Sequence, residues 1–319
     1  MSSDDRGLRR GLYLAPFDEL ADPRVLVGLA VHAEEHGWDG VFLWDHILYR
    51  SPVRAVADPW VALSAIAAHT EHVRLGPLGT PLSRRRAHKV ARETVTFDHL
   101  SQGRLILGVG LGSNRSGELE RFGEVVDPRE RAQRLDHGLT RLTEFWAGEF
   151  EPRPVQRPRI PIWVAARWPH RRPLRRAVRW DGLFPIELPG PEALAELAGE
   201  IAEQRGDDQG SVDLVIDLEP GTELDPWQKA GATWILTDFG PQPREAQVRE
   251  VIANASDEAA TALLPERSIP RGRARRPQGG ESLSTLPQAC SRRACFTGRT
   301  AAATFRPCAR SSGRSSAAG

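Results

Sequence analysis

The chain has 319 residues, 43 of them basic and 42 acidic, for a formal net charge of +1, and that length suffices for one large domain with a sizeable core. No apolar run approaches the roughly 18–20 residues of a membrane span, and residues 1–6 lack the apolar stretch of a secretory signal, so a cytoplasmic protein is expected. The near-zero charge hides an asymmetry: residues 265–319 hold eleven arginines against Glu266 and Glu281, which leaves 32 basic and 40 acidic residues in the remainder.

Short β-branched or apolar runs alternate with helical stretches, the pattern of a parallel sheet with crossover helices. Strand one is predicted over Gly11–Ala15, followed by a helix over Pro23–His36 that Gly37 ends by taking the left-handed conformation. Strand two is Gly40–Trp44. The next helix opens at Asp58-Pro59, a capping side chain followed by proline at the first helical position. Strand three is Val73–Gly79, its helix runs over Arg86–Leu100, and strand four is Arg104–Val109. Asp127-Pro128 opens the helix on which Leu135, Leu139, Leu142 and Trp146 share one apolar face.

The second half repeats the rhythm. Strands five to eight are Ile160–Ala165, Leu183–Ile186, Val212–Ile216 and Thr233–Thr237, with helices near 170–180, 191–205, 223–230 and 242–264. Leu105-Ile106-Leu107 and Ile162-Trp163-Val164 are continuous apolar runs, as strands buried on both faces require. Eight such units match the size of a (β/α)₈ TIM barrel, about 250 residues. A doubly wound α/β sheet is the competing architecture, and the lack of a topological break favours the barrel.

The barrel is therefore expected over residues 1–264. Residues 265–319 are rich in Arg, Ser, Ala and Pro without apolar period, and are expected to be a disordered tail. Cys290, Cys295 and Cys308 all lie there, with neither a metal spacing nor a His cluster beside them.

In such a barrel the chemistry sits at the C-terminal ends of the strands. Asp45 and His46 fall there, after strand two; the plain alternative is a capping Asp and a polar loop His. An imidazole titrating near neutrality can serve as general base or acid. Gly108, Gly110 and Gly112 invite comparison with a dinucleotide fingerprint, but the third glycine of that motif falls on Ser113 and the motif sits on the fourth strand. Small residues there let a planar ring approach the backbone. Asn114 and Glu118 are candidate polar contacts.

Two patterns are set aside. His32-Ala33-Glu34-Glu35-His36 matches an H-x-x-E-H zinc signature, but lies at the end of helix one, away from the strand C-termini, so no metal is expected. The Arg84-Arg85-Arg86 and Arg171-Arg172 clusters lack interleaved aromatics, so solvated helix starts or phosphate contacts are expected rather than nucleic acid.

Read in order, Glu34–Phe42 with Trp44-Asp45-His46, Leu75–Pro81, Thr96–Arg104 leading into Gly108–Gly112, Arg129–Arg134, and Arg159–Ala165 with Trp180-Asp181-Gly182 resemble the bacterial luciferase-like flavin-dependent oxidoreductases, including those that use the deazaflavin F420. The resemblance spans residues 11–240, and Leu100–Gly112 is its most specific part. It implies that His46 lies beside the reactive ring and that Asp45 orients it or bonds the ring. It implies a non-prolyl cis peptide at Leu78-Gly79 or Gly79-Thr80, forming a bulge behind the ring. It places the cofactor phosphate at Ala165, Ala166, Arg167 and Trp168, before a helix N-terminus.

The reaction so implied is a monooxygenation of a small organic substrate with reduced FMN and dioxygen, the alternative being hydride transfer with F420. Family members commonly pair as homodimers, and FMN members draw on a separate flavin reductase. Two departures stand out. The segment between Gly148 and Pro152 is much shorter than in the family, where it helps cover the active site, and the tail is unlike the family's ending. They raise two readings of other classes: a degraded, non-catalytic barrel, and a polyanion binder acting through its arginine tail.

Overall fold

A computed structural model describes residues 7–169, 175–205 and 211–262. The expected boundary at 264/265, the tail, and residues 170–174 of the expected helix near 170–180 lie outside the described residues. Among the described residues, no helix is long and apolar enough to cross a membrane.

The strands are β1 (Arg9–Leu14), β2 (Gly40–Leu43), β3 (Arg74–Pro77), β4 (Thr80–Pro81), β5 (Leu107–Gly110), β6 (Ile162–Arg167), β7 (Gly182–Ile186), β8 (Asp213–Leu218) and β9 (Trp234–Asp238). They run in the order β3-β2-β1-β9-β8-β7-β6-β5-β4, every pair parallel. The ring closes where the Leu75 amide donates to the Arg104 carbonyl (3.1 Å) and the Ile106 amide to the Leu75 carbonyl (2.8 Å). The fold is the expected (β/α)₈ barrel. Nine segments replace eight because the third expected strand stops at Pro77 and a further short strand, β4, follows Leu78-Gly79.

The described helices are α1 (Pro23–Glu35), α2 (Pro59–His69), α3 (Ala87–Leu100), α4 (Glu118–Arg121), α5 (Pro128–Glu144), α6 (Pro191–Arg205), α7 (Asp225–Lys229) and α8 (Glu245–Ala262). Three of them start alike. The carboxylates of Asp22, Asp58 and Asp127 accept backbone N–H groups of the first turn, and each is followed by proline, so the proline sits where no intrahelical donor is needed. Gly37, at φ +73°, ends α1 as anticipated.

Alternate strand residues point inward, where Phe42, Trp163, Phe184, Trp234 and Leu236 fill the barrel. Trp163 fits because β7 contributes Gly182 beside it: a Cβ there would lie 2.2 Å from the indole. The opposite strand faces and the inner faces of the helices form the larger outer core. Arg104, buried at 8% exposure, ties the lower end together. Its guanidinium donates to the carbonyls of Ala67, Thr70, Val73 and Ser101 and to the Thr70 hydroxyl, capping the end of α2.

Candidate active site

The C-terminal ends of the strands surround a cavity of about 700 Å³. Its β2 side carries His46, and its loop after β5 carries Glu118, which is 2% exposed. Glu118 Oε1 lies 2.9 Å from His46 Nδ1, while Oε2 accepts the Ile47 amide at 3.0 Å and pairs with Arg84 at 3.1 Å. Burial works against ionisation of Glu118, but the hydrogen bond and charge of His46, the Ile47 amide and Arg84 together outweigh it. The carboxyl is held below its ordinary range.

Asp45 is also buried, and its carboxylate is fully engaged. It accepts from Arg84 (2.9 Å), Arg85 (3.1 Å), the Thr80 hydroxyl (2.8 Å) and the Trp60 indole (3.2 Å). The partner that orients His46 is therefore Glu118, and the expectation that Asp45 does so is corrected. Arg84 is corrected too. Its side chain is 3% exposed and lies between Asp45 and Glu118, where the sequence pattern suggested a solvated helix start or a phosphate contact. A cation that bridges two buried carboxylates compensates both, which burial of such charges demands.

The Leu78-Gly79 peptide is cis, at one of the two expected positions, and the buried Tyr13 hydroxyl donates to the Leu78 carbonyl at 2.6 Å. Leu78 and Gly79 line the cavity together with Gly110, Gly112, Ala165, Ala166 and Arg167. Gly79, Gly110 and Ala165 form a wall almost free of side chains: a Cβ on Gly79 would stand 3.3 Å, and one on Gly110 3.4 Å, from the Ala165 methyl. Such a wall fits a flat aromatic ring.

The other expected residues stand one layer back or at the rim. Gly108 backs the bulge, since a Cβ there would come within 2.4 Å of the Leu78 side chain and 2.6 Å of the Pro77 carbonyl. Thr80 lies beneath and bonds Asp45. Trp168 does not line the cavity; its amide donates to the Ile186 carbonyl at 3.0 Å and its ring packs on the outer core. Arg167 sits at the rim, paired with Glu187, which also binds Arg115 at 2.8 Å. Asn114 accepts the Leu119 amide and shapes the start of α4.

Two residues that the sequence reading did not single out complete the cavity. Asp217 and Asp238 follow the apolar runs of β8 and β9 and line it. Burial, partly opposed by the Gly240 and Phe239 amides and reinforced by the charges of Asp217 and Glu219, pushes Asp238 up to about 7. Burial likewise raises Asp217. Tyr13, on the inward face beside them, is raised by burial and then by the same two carboxylates, so it stays protonated.

The model of the luciferase-like monooxygenase family matches residues 9–277. The chain belongs to that family. It is 28% identical to an F420-dependent glucose-6-phosphate dehydrogenase of Segniliparus rotundus, over 79% of this chain and 81% of that protein. It is also 28% identical to the oxygenase component of a flavin-dependent trigonelline monooxygenase of Acinetobacter baylyi, over 46% of this chain and 43% of that protein. Among solved structures, monooxygenase RslO1 from Streptomyces bottropensis superposes with a TM-score of 0.64 at 18% identity, covering 81% of this chain and all of that one. Membership makes this luciferase-like protein an oxidoreductase by family.

The link between Gly148 and Pro152 lies at the other end of the barrel. Residues 145–160 contribute nothing to the cavity lining. The Asp98 carboxylate, at the end of α3, instead accepts the amides of Val155 and Gln156, and Gln156 bonds the Leu105 carbonyl at the entrance to β5. The His32, Glu35 and His36 ligand atoms fall within 4.8 Å of one another, but none of these residues lines the cavity either.

Proposed function

We propose that this luciferase-like protein binds a flavin-type ring against the wall of Gly79, Gly110 and Ala165, with F420 as the favoured cofactor, and dehydrogenates a small organic alcohol. The observation that carries the reading is the hydrogen-bonded pair of His46 and Glu118 opening on the cavity. When bound, the deazaflavin supplies a two-electron hydride acceptor.

The chain's own residues manage the proton. With Nδ1 directed at the Glu118 carboxylate, Nε2 of His46 is the nitrogen that takes the hydroxyl proton of the substrate. Glu118 fixes that tautomer and stabilises the imidazolium that results. Arg84 keeps Glu118 ionised, and Asp45 in turn holds Arg84. Trp44, Leu78 and Phe184 give the cavity apolar surface that excludes water.

The similarity to F420-dependent glucose-6-phosphate dehydrogenases over most of both chains supports the deazaflavin. Similarity to a flavin-dependent oxygenase component supports a second reading, in which FMN is the cofactor, dioxygen the co-substrate and a separate reductase the source of reduced flavin. A homodimer belongs to both readings and is checked by light scattering. The deciding experiment is fluorescence titration of the full chain with F420 and with oxidised and reduced FMN, followed by turnover of the wild type and His46→Ala. Tight binding of one cofactor, retained in His46→Ala with loss of turnover, supports the reading. Binding of none would leave a barrel without redox chemistry.

A further inference from the structure

Every carboxylate around the cavity but two meets a cation; Arg50 and Arg131 also line it, with no carboxylate within ion-pair distance among the described residues. Asp45 is met by Arg84 and Arg85, Glu118 by Arg84 and His46, and Glu187 by Arg115 and Arg167. No such partner within ion-pair distance appears for Asp217 or Asp238 among the described residues. Asp238 accepts the Gly240 amide, a neutral donor, and the charges that act on it, Asp217 and Glu219, are both acids.

Their position in the barrel makes this informative. Asp217 stands two residues beyond Val215, and Asp238 two residues beyond Leu236, both inward-facing core residues. Strand residues alternate in direction, so both carboxylates point into the mouth, directly above the apolar interior. In the β1–β9 register Asp238 is paired with Tyr13. The Tyr13 ring in turn meets Phe184 edge-on at 5.5 Å and Trp44 at 5.6 Å. The strand order sets this wall across the mouth from β4 and β5. The cavity thus has one wall suited to a planar cofactor and another of two uncompensated carboxylates among aromatic faces. Carboxylates so placed need a cation to remain ionised out of water, and aromatic faces attract the same charge through their quadrupoles.

We propose that Asp217 and Asp238, flanked by Tyr13 and Phe184, form a subsite that receives an ammonium group of the substrate. The inference rests on the proposed function for the cavity itself, and it narrows the substrate class to small amino-bearing compounds, amino alcohols in the dehydrogenase reading. The raised proton affinities of Asp217 and Asp238 agree with it, since a bound cation returns both groups to their charged form.

The test is a calorimetric titration of the full chain with benzylammonium and with benzyl alcohol, a neutral probe of nearly the same shape, at about pH 8. It is run with and without the cofactor, on the wild type, Asp217→Asn, Asp238→Asn and the double variant. The wild type should bind benzylammonium at least about tenfold more tightly than the alcohol, a gap of about 1.4 kcal/mol. The gap should shrink in each single variant and vanish in the double one, with cofactor affinity unchanged in all four. Equal binding of the two probes by the wild type would overturn the proposal, as would a gap that survives in the double variant. A loss of cofactor affinity on Asp217→Asn would overturn it in another way, by placing the acids in the cofactor site. Failure of every cofactor to bind would strike the proposed function alone, because the probe titration without cofactor still reads the subsite.

Discussion

Glu118 Oε1 lies 2.9 Å from His46 Nδ1, although the two residues are 72 positions apart in the chain. One follows β2 and the other follows β5, and closure of the barrel between those strands brings them together. The contact is nearly dry, with the Glu118 side chain 1% and the His46 side chain 20% exposed.

Glu118→Gln keeps the shape and removes the charge. The amide can still accept from His46 but no longer stabilises an imidazolium, so kcat should fall by about 10²-fold or more. Cofactor affinity should change little. Steady-state turnover beside a cofactor titration measures both, and a variant with normal turnover would remove Glu118 from the proton path.

Asp238 links stability to pH. Its folded form holds a proton up to about 7, against an ordinary value of 3.8. Between these values the folded chain binds more protons than the unfolded one, so the contribution of this group falls as pH rises through the window and stays low above it. Asp238→Asn removes that loss. Melting curves should show the variant gaining on the wild type from about pH 5 to about pH 8; a constant difference would contradict the assignment.

Gly108→Ala places a methyl 2.4 Å from the Leu78 side chain and 2.6 Å from the Pro77 carbonyl. The backbone oxygen cannot yield as a flexible side chain would, so the bulge must shift into the cavity. Cofactor affinity should drop by about tenfold, equivalent to about 1.4 kcal/mol, with a lower melting temperature. Wild-type affinity in this variant would show that the bulge does not support the cofactor wall.

Arg104→Ala leaves the carbonyls of Ala67, Thr70 and Val73 without their buried donor. The expected loss is about 3 kcal/mol or more, because each unsatisfied buried group carries a desolvation penalty. Denaturant unfolding measures it. Arg104→Lys should recover only part, since one ammonium cannot reproduce the planar fork.

Much of this is legible in the amino-acid sequence. The repeat of apolar runs and helices, the Asp-Pro helix starts at 58–59 and 127–128, the glycine after α1 and the Leu78-Gly79 turn are all local signals, set by a few neighbouring residues. The positions of Asp45, His46 and Gly110 at strand ends followed from the same pattern. Asp217 and Asp238 could have been found by that rule as well, each being the acid that directly follows a predicted strand.

The pairings were not legible. Arg84 reads as one of three consecutive arginines at a helix start, and nothing local marks it as the cation shared by two buried carboxylates. The family resemblance implies that Asp45 orients His46 or bonds the ring, whereas neighbours near a strand end point in different directions, and here they meet different partners. The link after Gly148 likewise shows its place, at the far end of the barrel from the cavity, only in the tertiary structure. Residue type and spacing, which depend on short-range backbone geometry, determined the fold and the rim. Which charges meet across that rim was decided only by barrel closure, because it sets contacts between residues many strands apart.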